Sequence, residues 1–311
     1  MKTLLKNARI LKMDDTPLFF GDIVVENKRI AYIGKESDKY GPFDIVRECN
    51  GNVLMPGFKN AHTHSAMSFL RSKCDDSSLH DWLFKTVFPR EECMKPEDVK
   101  ELGKLSFLEY LTSGITACFD QYMNPTYLAD AAREFGFRLV DQTIFPDFDQ
   151  DNEIRRLYKE MNRGGDDLVT CFVGMHAEYT ATPEKFKIIG NIIKEYKLPF
   201  FVHVSETKAE VDDCFKRRGM SPIEYFDSLG FLDYGGAMFH CVWMTDKDIE
   251  IFKKHNVGVV INAGSNTKLA SGIAPVKRYL EEGLLMGIGT DGPASNNCLD
   301  MFKEMSLITS L

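Results

Sequence analysis

The chain has 311 residues, 44% hydrophobic and 27% charged, which is ordinary globular material with length for a sizeable core. Its formal net charge is −8 and no stretch is rich in lysine and arginine, so nucleic acid and anionic membrane surfaces are poor candidate partners. No run approaches the ~18 apolar residues of a membrane span, and Met1-Lys2-Thr3-Leu4-Leu5-Lys6-Asn7 lacks the sustained apolar core of a signal peptide.

Residues 1–55 carry short alternating apolar runs at 4–11, 21–25, 29–34, 43–46 and 52–55. Glu26-Asn27-Lys28 makes a hairpin turn between the second and third. Small isolated sheets are marginal, so this set has to pack against something else. From Pro56 the pattern changes. Apolar, often β-branched runs at 55–61, 114–119, 137–143, 168–175, 199–204, 237–241, 257–261 and 284–289 predict eight strands. Helical segments lie between them: one opened by Pro96-Glu97-Asp98, then 124–135, 183–196, 208–216 and 245–255. This alternation implies parallel strands. Eight units over 56–311 fit a closed (β/α)8 barrel better than the alternative, an open doubly wound sheet. Residues 65–95 form the longest connection; such connections over a barrel mouth are commonly lids. Phe84 and Phe88 within it are expected to be core packing. Residues 299–311 read as the start of an eighth helix.

Nearly every predicted strand ends on a polar residue: His62 and His64, Asp120, Thr143, His176, His203, His240, Asn262 and Asp291. Barrel enzymes carry their chemistry at these ends. Five of the seven histidines fall there, while His80 and His255 sit in helical segments. His62 and His64 are two apart and share one face of an extended backbone. Paired imidazoles suit a divalent metal, although packing histidines produce the same spacing. The eight cysteines make no Cys-x-x-Cys clip, and Cys118, Cys171 and Cys241 lie in apolar runs. That usage points to reduced thiols and a cytoplasmic setting.

His62-Thr63-His64, His203-Val204-Ser205-Glu206-Thr207, Phe239-His240-Cys241-Val242 and Gly289-Thr290-Asp291-Gly292 together resemble the metal-dependent deaminases of the amidohydrolase superfamily. The longer stretches Lys268-Leu269-Ala270-Ser271-Gly272-Ile273-Ala274-Pro275 and Thr290-Asp291-Gly292-Pro293-Ala294-Ser295-Asn296-Asn297 are similar to the 5′-methylthioadenosine/S-adenosylhomocysteine deaminases within it. The resemblance implies a TIM-type barrel with residues 1–55 as the N-terminal part of a small β-sandwich. Family members continue beyond Leu311. The resemblance therefore implies a chain truncated before its C-terminal strands, with an incomplete last helix, poorly stable and inactive alone.

The same resemblance implies one divalent metal on His62, His64, His203 and Asp291, zinc first, with iron or manganese as alternatives. It gives Glu206 a proton-shuttling role and His240 the attacking water and oxyanion, with Asp291 accepting a proton from that water. On the substrate side it implies Glu91 at the ribose hydroxyls, His176 as a further contact, Trp82 over the base and Ser295 at the ring. The alternative for Glu91 is a solvated charge in Arg90-Glu91-Glu92. Relatives that take S-adenosylhomocysteine place an arginine after the third strand. The matching position here is Thr143, with Arg155 or Arg156 as substitutes, which favours a neutral 5′ substituent. Trp243-Met244 is a second departure, since relatives often carry a histidine and a leucine there. The expected partner is a small-molecule nucleoside, with further copies of the same chain, as a homo-oligomer, the other candidate. The expected reaction is hydrolytic deamination of a 5′-modified adenosine. Rivals are deamination or dechlorination of another aminoazine, such as guanine or a triazine, and a catalytically dead barrel scaffold.

Overall fold

The computed structural model describes residues 1–144, 151–162 and 167–311, and the side chains of residues 143 and 144 lie outside that description. The chain divides into two compact units, Met1–Gly57 and Phe58–Leu311. In the first, β1 (Lys2–Ile10), β2 (Phe19–Glu26), β3 (Arg29–Gly34), β4 (Ile45–Glu48) and β5 (Val53–Leu54) form one mixed sheet. β1 is its hub, antiparallel to β2 and parallel to β4 and β5. Asn27, at φ 56°, makes the β2–β3 turn, a left-handed position that asparagine tolerates.

In the second unit strands alternate with helices. The first half comprises β6 (Phe58–Thr63), α1 (Pro96–Thr112), β7 (Ile115–Tyr122), α2 (Pro125–Phe135), β8 (Arg138–Ile144), α3 (Asp151–Met161), β9 (Val169–Gly174) and α4 (Pro183–Tyr196). The second comprises β10 (Phe200–Val204), α5 (Lys208–Arg218), α6 (Pro222–Ser228), β11 (Gly236–His240), α7 (Asp246–His255), β12 (Val257–Ile261), α8 (Ala263–Lys268), α9 (Val276–Glu281), β13 (Met286–Ile288), α10 (Pro293–Asn296) and α11 (Met301–Ser310). The helix starts follow local chemistry. Proline opens α1, α2, α4 and α6, and the side chains of Thr182, Thr207, Ser221 and Thr245 accept amide hydrogens from the first turns of α4, α5, α6 and α7.

Among the described residues the eight strands of this unit are parallel, in two sheets ordered β6-β7-β8-β9 and β10-β11-β12-β13. Two seams join the sheets. The His203 amide donates to the His176 carbonyl at 3.0 Å, beside a parallel bridge between Ala177 and His203. The Asp291 amide donates to the His62 carbonyl at 3.0 Å. An open sheet would leave both edges unpaired, so the architecture is the expected (β/α)8 barrel. Its lumen is filled by phenylalanines. Phe119 of β7 meets Phe201 of β10 at 4.5 Å between ring centroids and Phe239 of β11 at 5.7 Å. These strands are not neighbours, so the rings can meet only across the interior. The His62 ring stacks on Phe239 at 3.8 Å, which places the aromatic layer directly beneath the strand-end histidines.

The long connection contains a helical segment, residues 79–91, whose central turn Trp82–Val87 is π-helical. π-turns are rare and frequent at functional sites. His80 is exposed within it, and His255 ends α7 with its Nε2 2.7 Å from Asp227 Oδ1. All eight cysteines are free thiols. Among the described residues no helix is long and apolar enough to cross a membrane.

Candidate active site

His62 lies inside β6 and His203 inside β10, His64 directly follows β6, and Asp291 lies in the turn after β13. All four are buried, with one ligand atom each within 4.8 Å of one another. His203 Nε2 is 3.0 Å from His62 Nε2 and 3.3 Å from His64 Nε2, while Asp291 Oδ1 is 3.5 and 3.2 Å from those two atoms. Burial opposes charge on His64, but the Asp291 carboxylate beside it raises that ring to about 9, so without a metal a proton on His64 takes part in holding this set together. His64 directs Nδ1 at the Gln121 carbonyl at 2.6 Å, and His203 directs Nδ1 at the His176 carbonyl at 2.9 Å. A carbonyl only accepts, so both Nδ1 atoms carry the hydrogen, and in the neutral rings both Nε2 atoms present lone pairs to each other. Lone pairs so close repel unless a proton or a metal ion lies between them, and four converging donors are more than one shared proton needs. Donors on one ion at ~2.0–2.1 Å would be spaced roughly 2.9–3.4 Å apart, close to what is seen. The donor set fits one divalent metal. Burial opposes charge on Asp291, but the His62 and His64 rings hold its carboxyl well below the usual carboxylate range.

Glu206 follows β10 by two residues and is buried, with Oε2 3.7 Å from His240 Nε2. Its Oε1 accepts from the Ser271 hydroxyl at 2.8 Å. Burial pushes its carboxyl above the ordinary value. The loop carrying it is tied down by Glu210, whose two carboxylate oxygens accept the amides of Ser205 and Glu206, each at 2.8 Å. His240 ends β11 and directs Nδ1 at Asn266 Oδ1, 2.7 Å away, which leaves Nε2 facing Glu206 and, at 3.9 Å, Asp291 Oδ2. Ser205, His240 and Asp291 all have left-handed backbones, at φ 50°, 71° and 59°. For non-glycine residues this conformation is costly, and strain of that kind clusters at functional sites.

His64, His203, Glu206, His240 and Asp291 line one wall of a cavity of about 630 Å3. Trp82, Glu91 and His176 line it too. Glu91 is 7% exposed and accepts the Tyr122 hydroxyl at 2.6 Å, and burial raises its carboxyl. The solvated-charge alternative for Glu91 is thereby overturned. His176 is held largely neutral, lowered to about 3 chiefly by burial. Phe84 corrects the sequence expectation: it is 45% exposed and lines the cavity instead of filling the core, because its turn crosses the barrel mouth. Phe88 packs on the core and also faces the cavity. Ser295 is buried, donates to the Gly292 carbonyl at 3.2 Å and is not among the cavity-lining residues. The side chain of Thr143 lies outside the described residues. Arg155 is engaged by Asp151 and Glu195, Arg156 pairs with Glu160, and neither lines the cavity. Neither therefore substitutes for an arginine at position 143. Lys185, at 4% exposure, does line it. Glu210, Asn266, Ser271, Tyr122 and Lys185 escaped the sequence analysis. Two of them have a local signal: Thr207-Lys208-Ala209-Glu210 has the form of a helix-capping box, and Ser271 lies in the family-like stretch 268–275.

Residues 53–311 match the family model described as the amidohydrolase family. A 5-methylthioadenosine/S-adenosylhomocysteine deaminase of Thermoanaerobacter pseudethanolicus is 37% identical over 100% of this chain and 74% of its own length. A 5′-deoxyadenosine deaminase of Methanobrevibacter smithii is 36% identical over 97% of this chain and 71% of its own. Among solved structures, an adenosine deaminase from Xanthomonas campestris with bound zinc superposes with a TM-score of 0.89 at 28% identity, covering 99% of this chain and 74% of that one. The barrel, its strand-end histidines and a family match over most of the sequence lead to one assignment: the chain belongs to the amidohydrolase family.

Proposed function

We propose that this protein is a metal-dependent hydrolase that deaminates the adenine ring of 5′-modified adenosines, releasing ammonia and the inosine product. 5′-Methylthioadenosine, S-adenosylhomocysteine and 5′-deoxyadenosine are the substrate class, in line with the names of its relatives. One observation carries a nucleoside over a bare ring. Glu91 is a buried carboxylate on a mainly apolar cavity wall, and a ribose diol offers the paired donors that such a group accepts.

The proposed ligands are His62, His64, His203 and Asp291, and the proposed ion is zinc, which the Xanthomonas relative holds. Such an ion acidifies a coordinated water from a pKa of about 15.7 towards about 7 and so supplies a nucleophile at neutral pH. The chain's own groups do the rest. His240 orients the attacking water through Nε2 and stabilises the oxyanion developing at the ring carbon. Asp291 accepts the water proton. Glu206, whose carboxyl burial raises, delivers a proton to the ring nitrogen; the proton on Asp291 passes to the amino group, which leaves as ammonia, and Glu206 recovers its proton from the added hydroxyl as the carbonyl forms. Trp82 covers the base, and His176 contacts the nucleoside as a neutral ring.

The test follows ammonia from zinc-loaded protein given 5′-methylthioadenosine, S-adenosylhomocysteine, 5′-deoxyadenosine, adenosine and guanine. The 5′-substituted adenosines should be turned over fastest. Faster release from guanine would overturn the nucleoside assignment. Glu91→Gln should raise KM for the adenosines by roughly tenfold, the effect of weakening one charged hydrogen-bond acceptor, with kcat changed far less. A kcat-only loss would take Glu91 away from the ribose.

A further inference from the structure

Glu206 is a carboxylate with two equivalent oxygens, and proton delivery needs one of them aimed and the other fixed. We infer that Ser271 and Trp243 are positioning residues for Glu206: the Trp243 indole N–H holds the Ser271 carbonyl at 2.7 Å, and the Ser271 hydroxyl holds Glu206 Oε1 at 2.8 Å. With Oε1 anchored, Oε2 is the oxygen that faces His240 and carries the proton. This inference rests on the proposed proton-carrying role of Glu206.

The arrangement is built from three strand-end loops. Trp243 lies just beyond β11, and its amide donates to the Ser205 carbonyl at 2.8 Å, next to Glu206 in the chain. The Ser271 amide donates to the Asn266 carbonyl at 2.9 Å, and the same Asn266 takes the His240 Nδ1 hydrogen through its side chain. Ser271 is 3% exposed, so its hydroxyl sees little water to compete with the carboxylate. The approach of the two loops is close. Gly272 has φ +129°, and a Cβ there would lie 2.8 Å from Val242 Cγ1 and 3.3 Å from Trp243 Nε1. A side chain at 272 would push Trp243 off Ser271, and only glycine adopts that backbone readily. Trp243 itself is 40% exposed, so filling the core does not explain it. Its indole nitrogen is the part that reaches inward. Phenylalanine has no N–H to offer there, and histidine offers a ring of different reach, which gives the departure at Trp243 a physical role.

The experiment uses zinc-loaded protein with Ser271→Ala, Ser271→Thr, Trp243→Phe and the Ser271→Ala/Trp243→Phe double variant, with metal content and thermal melts recorded for each. Losing a hydrogen bond to a charged group is expected to lower kcat roughly tenfold in Ser271→Ala, with KM within twofold and metal unchanged. Ser271→Thr restores most of kcat because the hydroxyl returns. Trp243→Phe lowers kcat about threefold. The double variant is no slower than Ser271→Ala alone, since Trp243 acts through Ser271. Losses that multiply, or a well-folded Ser271→Ala with wild-type kcat, overturn the inference. A second readout is independent of turnover. The infrared carboxyl band of Glu206, isolated as the difference between wild type and Glu206→Gln, should shift in Ser271→Ala and shift less, in the same direction, in Trp243→Phe. An unmoved band overturns the inference even if no substrate tested releases ammonia. A moved band with no ammonia from any adenosine leaves the positioning intact and removes the proposed reaction instead. If Ser271→Ala does not fold, the partly exposed Trp243→Phe decides through both readouts.

Discussion

The two halves of the barrel contribute different things to one cavity. The half from β6 to β9 supplies most of the wall: Trp82 and Glu91 from the long connection, Tyr122 at the end of β7 and His176 beyond β9. The half from β10 to β13 supplies the groups with proton chemistry, Glu206, His240 and Asp291, on short turns. The turns differ in how they are held. Those of the second half use left-handed backbones at Ser205, His240 and Asp291 and dense side-chain hydrogen bonds, accepted by Glu210 and Asn266 and donated by Ser271. The wall of the first half is helical and partly exposed, with Phe84 open to solvent. A rigid half presents reacting groups and a more open half shapes what they meet. Changes in the second half should therefore fall on kcat and changes in the first on KM and substrate choice.

The largest effect expected is from the residues shared by both halves. His203→Ala removes one of four donors and leaves His62, His64 and Asp291 to hold the ion, and both metal and turnover should be lost. Stoichiometric metal after reconstitution of this variant would break the proposed ligand set. Glu206→Gln comes next. It keeps shape and metal yet cannot carry a proton, so kcat should fall at least ~100-fold with KM little changed. A variant that keeps most of its kcat would remove the kinetic division between the halves.

The sequence displayed the strands and ligands for one reason: barrel chemistry sits at strand ends, where periodicity breaks. His62, His64, His203 and Asp291 each interrupt or follow an apolar run, so a pattern two residues long exposes them. The strand expected at 237–241 stops at His240 because His240 and Cys241 turn left-handed, a property of backbone geometry that no local residue pattern states. The supports were hidden for a different reason. Ser271 is 65 residues from Glu206, and Asn266 is 26 from His240. Such contacts exist only once the ring closes. The misjudged aromatic, Phe84, has a composition suited to the core, but the π-turn that carries it spans the mouth.

Both halves bury acids that burial raises, Glu210 to about 7 and Asp120 to about 6, and this predicts a pH effect on stability. In the second half Glu210 accepts two backbone amides. In the first, Asp120 and Asp141 sit opposite each other on β7 and β8, and neither Asp141 oxygen has a hydrogen-bond partner. Burial pushes Asp120 from 3.8 up to about 6. The folded state thus binds this proton more tightly than the unfolded chain does. The stabilising contribution is complete below the unfolded value and is lost as pH rises from about 4 to about 6. At ~1.4 kcal/mol per unit, the loss is on the order of 2–3 kcal/mol. Asp120→Asn stays neutral and should lose the Asp120 share of this slope, while the share of Glu210, raised to about 7, remains. Urea melts of both proteins at pH 4.5 and 7 measure it, and parallel changes in the two would show that Asp120 is not the source.

The smallest effect concerns the 5′ substituent, and it tests whether the open half sets selectivity. A carboxylate tail is best met by a bidentate arginine pair. Arg155 is engaged by Asp151 and Glu195, and Arg156 lies exposed beside Glu160. Among the described residues Lys185 is the one lysine or arginine on the cavity wall. A lysine offers a point charge without the planar fork, so it gives a charged tail less than arginine does. The apolar neighbours Met123 and Phe88 suit a thioether. The expectation is a kcat/KM for 5′-methylthioadenosine several-fold above that for S-adenosylhomocysteine, roughly 1 kcal/mol of discrimination. The reverse preference would break it and make Lys185 the first group to test. Lys185→Met should then lower kcat/KM for S-adenosylhomocysteine alone. If it lowers both substrates equally, Lys185 supports the wall as structure, and the open half selects by shape and apolar contact instead of by charge.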